Sequence, residues 1–86
     1  MNLDCVLSDR QSTYGSFEAV AQVAQTLKAS MAASKNWPRL RPHQRESLEM
    51  IASKIARILN GDPAHSDSWV DIAGYAQLVA DTLEPK

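Results

Sequence analysis

The sequence predicts an all-α protein, a small antiparallel bundle of three main helices with or without a short N-terminal helix. Three observations predict this class. Apolar residues recur at helical spacing in three segments, at about 16–34, 42–60 and 66–83. Segments that contain proline or glycine separate these stretches. No strand-like alternation of apolar and polar residues occurs in the 86 residues, which we treat as a single domain, 1–86.

The segment 1–15 carries no sustained period, so we expect an N-terminal loop or docking segment, or at most a short helix. The first main helix follows at 16–34, with Gly15 or Ser16 as its N-cap. Its apolar residues are spaced to share one side of a helix and are Phe17, Val20, Ala21, Ala24, Leu27 and Met31.

Two prolines, Pro38 and Pro42, exclude a continuous helix across the next segment, where we expect Trp37 and Leu40 to anchor the connector. The second helix, 42–60, begins with a proline suited to a first turn and ends at Asn60 and a glycine. We expect one apolar side on this helix, formed by Leu48, Ile51, Ala52, Ile55, Ile58 and Leu59.

The third helix, 66–83, begins at a serine or aspartate that can cap it, and Pro85 is expected to end it. Its apolar side is predicted to contain Trp69, Ile72, Ala73, Ala76, Val79, Ala80 and Leu83. Tyr75 and Leu78 fall on the other side, so we expect this helix to be covered on two sides. Gly74 costs about 1 kcal/mol relative to alanine within a helix. We therefore expect a neighbouring helix or a partner subunit to approach it closely.

Size and composition limit the class of protein further. A chain this small buries a modest core, so self-association is expected. The net charge of −1, from 9 basic and 10 acidic residues, gives no long-range attraction to nucleic acid or to an anionic membrane. Cys5 is the single cysteine, which excludes an internal disulfide and fits a reducing cytoplasm. No apolar segment approaches the roughly 20 residues that span a bilayer, and residues 1–4 do not resemble a signal peptide.

Four acidic residues form the first candidate site. Glu46 and Glu49 are one turn apart on the second helix, as are Asp67 and Asp71 on the third. If these helices are antiparallel neighbours, the carboxylates could converge on Mg²⁺ or Mn²⁺ and, through the metal, on a phosphate group. In the alternative, Asp67 caps its helix, Asp71 pairs with Arg57, and the two glutamates are solvated.

Two cations and one aromatic residue complete the candidate site. Lys54 and Arg57 could bind phosphate oxygens, Arg57 with two hydrogen bonds. Alternatively, the lysine extends along the apolar edge and the arginine is an ion-pair partner. Tyr14 lies where a loop meets a helix N-terminus, so it could stack on a base beside an anion. It could equally fold onto the bundle around the turn at Gly15.

Several blocks of this sequence resemble a known family. They are the "DRQxTYG" block at residues 9–15, the segment 50–57, and the "DxxxDIAGYA" block at residues 67–76. Over residues 8–80 they resemble a family of small phage and prophage proteins of uncharacterised function that is grouped with MazG-like proteins. The resemblance implies an all-α fold that assembles as dimers or higher oligomers. It also implies Mg²⁺-dependent cleavage of nucleoside triphosphates to monophosphate and pyrophosphate.

The wider MazG-like group carries Glu-x-x-Glu on one helix and Glu-x-x-Asp on the next. Glu46 and Glu49 match the first half, whereas Asp67 and Asp71 have one additional residue between them and include no glutamate. We expect a phage-derived protein in the cytoplasm of the bacterial host that binds a nucleotide or another phosphorylated ligand. In a catalytic version the four acids hold Mg²⁺, Lys54 and Arg57 neutralise the phosphates, and Tyr14 stacks on the base. The alternative is a non-catalytic accessory or anti-defence protein that binds a host protein complex or sequesters a nucleotide signal.

Overall fold

The computed structural model describes residues 3–83, and the regular structure there is entirely helical. Four α-helices, which we call α1 to α4, span Leu3–Tyr14, Phe17–Ala32, Pro42–Asn60 and Ser66–Leu83. A short 3₁₀ helix, Trp37–Arg39, lies between α2 and α3. The all-α prediction is confirmed. Pro85, expected to end the last helix, lies outside the described residues.

Of the possibilities left open for the N-terminal segment, a loop, a docking segment or a short helix, the structure has the helix, since α1 spans 12 residues. It buries none of its side chains, which explains why the sequence shows no apolar period there. Only Gly15 and Ser16 lie between the end of α1 and the start of α2. Ser16 caps α2, because its Oγ accepts a hydrogen bond of 3.2 Å from the backbone N–H of Ala19.

Helix α3 is the centre of the molecule, with α2 and α4 both packed extensively against it. The buried residues are small ones: Ala24, Ser47, Ala52, Ala56 and Ser68. Small side chains let helix backbones approach closely. At one such point the Ser47 hydroxyl donates a 2.9 Å hydrogen bond to the backbone carbonyl of Tyr75. The guanidinium of Arg45 fixes the connector by donating to the carbonyls of Trp37 and Pro38.

The rotation of α4 differs from the predicted one. Its half-buried or buried residues are Ser68, Asp71, Ile72, Tyr75 and Val79, whereas Trp69 and Leu83 of the predicted apolar side are 55% and 53% exposed. The small Ser68 brings α4 close to α3, and the large apolar residues are left outside. Among residues 3–83, helix α4 is therefore covered on one side only. No helix among residues 3–83 combines the length and apolarity needed to cross a membrane.

The resulting molecule is extended. Its principal dimensions are 48 × 29 × 23 Å, and its radius of gyration is 14.9 Å, against about 12 Å for a compact domain of this length. Helices α2, α3 and α4 form one layer, and the C-terminal part of α1 crosses one side of that layer near the end of α3. That crossing creates the candidate site.

Candidate functional site

Two glycines join the C-terminal ends of α1 and α3. Gly15 has a φ of +87°, and a Cβ there would overlap the backbone of Asn60; a Cβ on Gly61 would overlap the backbone of Thr13 and Tyr14. The backbone N–H of Asp62 donates a 2.7 Å hydrogen bond to the carbonyl of Thr13. Close backbone contact therefore fixes the position of Tyr14 relative to α3.

Tyr14 is surrounded by the side chains of two arginines and a histidine. The Cζ atoms of Arg57 and Arg10 lie 4.9 Å and 5.2 Å from the centre of its ring, within the range of a cation–π interaction. The imidazole of His65 meets the ring edge-on at 5.4 Å, and its Nε2 lies 3.4 Å from the tyrosine hydroxyl. Positive charge is favourable here because the carbonyl ends of two helices meet at this point.

A cavity of about 390 Å³ opens beside Tyr14, between α1, α2 and α3. Its apolar wall is formed by Leu7, Phe17, Val20, Ala21 and Ala24. Its polar lining consists of Arg10, Gln11, Tyr14, Gln25, Lys28, Ser53 and Arg57, together with the backbone at Gly15. A volume of this size is within the range of small-molecule sites, about 300–1,000 Å³.

The charge of this cavity is of one sign. Three cationic side chains line it, Arg10, Lys28 and Arg57, and no carboxylate is among its described lining residues. Within residues 3–83 none of these three cations forms a salt bridge. Unpaired cations in a concave, partly apolar site concentrate positive potential, which attracts anions. We call this site the cation-lined cavity.

The four predicted metal ligands are not brought together in one chain. Asp71 Oδ2 lies 2.9 Å from Lys54 Nζ, and Asp67 Oδ2 lies 3.6 Å from His65 Nε2. Glu46 is exposed and Glu49 is half-buried, and neither forms a salt bridge with a described residue. No group of three or more histidine, cysteine or acidic side chains in residues 3–83 could hold a metal ion. Within residues 3–83, one chain therefore offers Mg²⁺ at most two such ligands at any one point.

The two predicted phosphate-binding residues have separate positions. Arg57 lines the cation-lined cavity, whereas Lys54 is engaged with Asp71 at the interface of α3 and α4. The alternative pairing of Asp71 with Arg57 is wrong, because Lys54 takes the place of the arginine. Tyr14 is placed beside the cavity, with both guanidinium groups over its ring, so stacking on a base stays a prediction.

The sequence patterns did not identify three residues of the site. Arg10 belongs to the short N-terminal helix, for which the sequence singled out no cation, and Lys28 lies on α2, 13 residues after Gly15. Phe17 was expected in the core and is 84% exposed at the mouth of the cavity. The one signal in the sequence was an aromatic residue, Phe17, in the first turn of a helix. Its helical spacing from Val20, Ala21 and Ala24 instead grouped it with the predicted core residues.

Fold and site together define a small all-α protein with a cavity suited to an anionic ligand. The chain belongs to the family described as a domain of unknown function, DUF6378, whose model matches residues 2–83. No curated protein matches the chain, and no solved structure matches it. The resemblance to MazG-like phage proteins therefore stays a prediction.

Proposed function

We propose that this protein binds a phosphorylated small molecule of the nucleotide class in the cation-lined cavity, without a metal ion. The observation that carries the proposal is a set of three cations, Arg10, Lys28 and Arg57, that form no salt bridge with any residue of the described range 3–83 and surround a partly apolar cavity of about 390 Å³. The two guanidinium groups suit phosphate oxygens, because each can donate two parallel hydrogen bonds. Lys28 adds a mobile point charge on the facing helix.

The apolar wall supports a ligand that is more than inorganic phosphate. Leu7, Val20 and Ala21 offer a surface for a flat, weakly polar group such as a base. Phe17 is 84% exposed at the edge of this wall, and an aromatic ring in this position can stack on such a group. In this proposal Tyr14 orients the two arginines, and Phe17 takes the stacking role.

Binding without hydrolysis corresponds to the non-catalytic alternative, in which the protein sequesters a nucleotide signal. The described carboxylates of one chain form no group of three possible metal ligands, and Asp71 is paired with Lys54. The proposed binding therefore depends on the cationic side chains of the cavity. A phage origin and a place in the bacterial cytoplasm belong to the same proposal and are supported by the sequence resemblance.

Thermal melting of the protein tests this proposal. The probes are inorganic phosphate, pyrophosphate, and nucleoside mono-, di- and triphosphates, each in a chelating buffer. A ligand at 100 times its Kd stabilises the folded chain by about 2.7 kcal/mol, which is a measurable increase in Tm. At least one nucleoside phosphate should produce it, and high salt should reduce the effect.

A matched pair of variants localises the binding. Lys28→Gln removes a cation from the cavity, whereas Lys35→Gln removes an exposed lysine from the turn after α2. The first change should abolish most of the increase in Tm, and the second should leave it unchanged. If no phosphorylated probe raises Tm, or if both variants behave alike, the proposed site is wrong.

A further inference from the structure

One side of the α2–α3–α4 layer carries a continuous, uncharged apolar surface. At about 100° per residue, five residues of α4 fall within an arc of about 80°: Trp69, Ala73, Ala76, Ala80 and Leu83. All five are exposed. Their spacing of four and three residues in alternation is the heptad pattern of a helix that packs along another helix. We call this row the α4 stripe.

The neighbouring helix extends the same surface. On α3, Leu48, Ile55 and Leu59 fall within an arc of about 40°, and Leu48 and Leu59 are 42% and 67% exposed. The Lys54–Asp71 ion pair and the hydrogen bond between His43 and Thr82 mark one edge of the α3–α4 interface. The α4 stripe lies beyond the opposite edge, on the side where the helical positions of Leu48 and Leu59 fall.

This surface faces away from the cation-lined cavity, whose α3 residues Ser53 and Arg57 lie on the other side of the layer. Helix α1 crosses that other side only. A single layer of helices buries its apolar residues only when a second layer covers it. Within residues 3–83 no element supplies that second layer over the α4 stripe.

The solvent-accessible area of the chain is larger than that of a compact monomer by about the area that one subunit buries in a dimer. The accessible area is 6206 Å², whereas a compact monomer of this mass exposes about 5,000 Å². The difference is on the order of 1,000 Å², and a standard dimer interface buries about 800 Å² per partner. The excess therefore matches what one subunit of a stable dimer conceals.

The order of residues in the α4 stripe suits contact with an identical copy. Trp69 and Leu83 lie at equal distances in sequence from Ala76, and alanines occupy the positions between them. A twofold axis near Ala76 would make the two α4 helices antiparallel, with the alanines of one copy facing the alanines of the other. Trp69 of each copy would then lie beside the C-terminal end of the stripe, at Leu83, in the other copy. No charged side chain interrupts the stripe, so like charges do not oppose each other.

From these observations we infer that the α4 stripe, together with Leu48 and Leu59 of α3, binds a second copy of this chain. The two α3–α4 pairs then form a four-helix core, and both cation-lined cavities remain open on the outer sides. The interface is independent of the proposed ligand, because no residue of the cavity belongs to it.

Sedimentation or light scattering of the full chain tests this inference. The wild-type protein should have twice the 9.5 kDa mass of one chain. Ala76→Glu places a charge at the centre of the stripe and should give the mass of one chain, with the helical circular dichroism retained because Ala76 is exposed. Val70→Glu is the matched control, since Val70 is also an exposed apolar residue of α4, 64% exposed, and lies outside the stripe, about 120° around the helix from Ala76. It should remain dimeric.

Cross-linking provides a second measurement that does not depend on dissociating the dimer. In a Cys5→Ala background, Ala76→Cys should form an intermolecular disulfide on mild oxidation, whereas Val70→Cys should not. A monomeric wild-type protein would overturn the inference and leave this surface to another partner. A dimer that Ala76→Glu leaves intact, or that cross-links through position 70 instead of 76, would overturn it as well.

Discussion

Lys54 Nζ lies 2.9 Å from Asp71 Oδ2, so an ion pair joins the central helix to α4. The lysine side chain is 13% exposed and the aspartate 45%. Each residue was a candidate ligand, one for phosphate and the other for a metal ion. Because the two charges neutralise each other at a helix interface, the pair acts as a structural contact, whereas Arg10, Lys28 and Arg57 of the cation-lined cavity form no salt bridge with a described residue.

Replacement of Asp71 tests this structural role. Asp71→Asn leaves the mostly buried ammonium of Lys54 without its counter-charge and should lower the free energy of unfolding by about 1–2 kcal/mol, between the values for exposed and buried pairs. Urea denaturation measures the change. The double variant Lys54→Met/Asp71→Asn should recover most of the loss. Unchanged stability in the single variant would show that the pair contributes nothing in solution.

The glycine junction between α1 and α3 should not accept a side chain. A Cβ at Gly61 would overlap the backbone of Thr13 and Tyr14, so Gly61→Ala must displace α1. We expect a loss of about 1–3 kcal/mol in the free energy of unfolding, as for other locally strained positions. Hydrogen exchange should increase selectively in α1. Wild-type exchange rates in α1 of this variant would contradict the close contact.

Gly74 provides the opposite case. The structure places nothing within 4 Å of a Cβ added there, so a neighbouring helix of the same chain does not explain this glycine. Gly74→Ala should raise the free energy of unfolding by about 1 kcal/mol through helix propensity alone. The oligomeric state should not change, because Gly74 is not part of the α4 stripe. A loss of stability, or a change in mass, would indicate that a partner contacts this flank.

Replacement of Phe17 should weaken ligand binding and leave the stability of the fold almost unchanged. Since its side chain is 84% exposed, Phe17→Ala should change the free energy of unfolding by less than about 0.5 kcal/mol. Loss of one stacked ring costs about 1–3 kcal/mol of binding in comparable sites, which corresponds to roughly a 5- to 150-fold weaker affinity. Isothermal titration with the nucleoside phosphate found by thermal melting measures it. Equal affinity in both proteins would remove Phe17 from the site.

The helices were predictable from the sequence, but their rotation was not. Proline, glycine and the apolar period are local signals, and they placed α3 and α4 at 42–60 and 66–83, where the structure has Pro42–Asn60 and Ser66–Leu83. Helix α1 buries no side chain and therefore leaves no period to detect. The exposure of Trp69 could not be read from the sequence, because a residue that packs in an assembly has the same pattern as one in a monomer's core.

The candidate site was predictable in part for a similar reason. Tyr14 was expected where a loop meets a helix N-terminus, whereas it is the last residue of α1, two residues before the N-cap of α2 at Ser16. Arg57 was expected on the second main helix, and it lies in the last turn of α3. Their meeting depends on two glycines 46 positions apart that allow two backbones to touch. The carboxylates were grouped on spacing within each helix, which says nothing about the rotation of one helix against the other. That rotation brought Asp71 to Lys54 instead.

Calorimetric titration in EDTA tests most directly whether the cavity binds a nucleoside phosphate without a metal ion. We predict equal affinity in EDTA and in excess Mg²⁺, at least tenfold weaker binding by Lys28→Gln, and wild-type affinity for the Lys54→Met/Asp71→Asn protein. Binding that requires Mg²⁺, disappears when Asp71 is replaced, and persists in Lys28→Gln would contradict it. That result would place the site at the carboxylates.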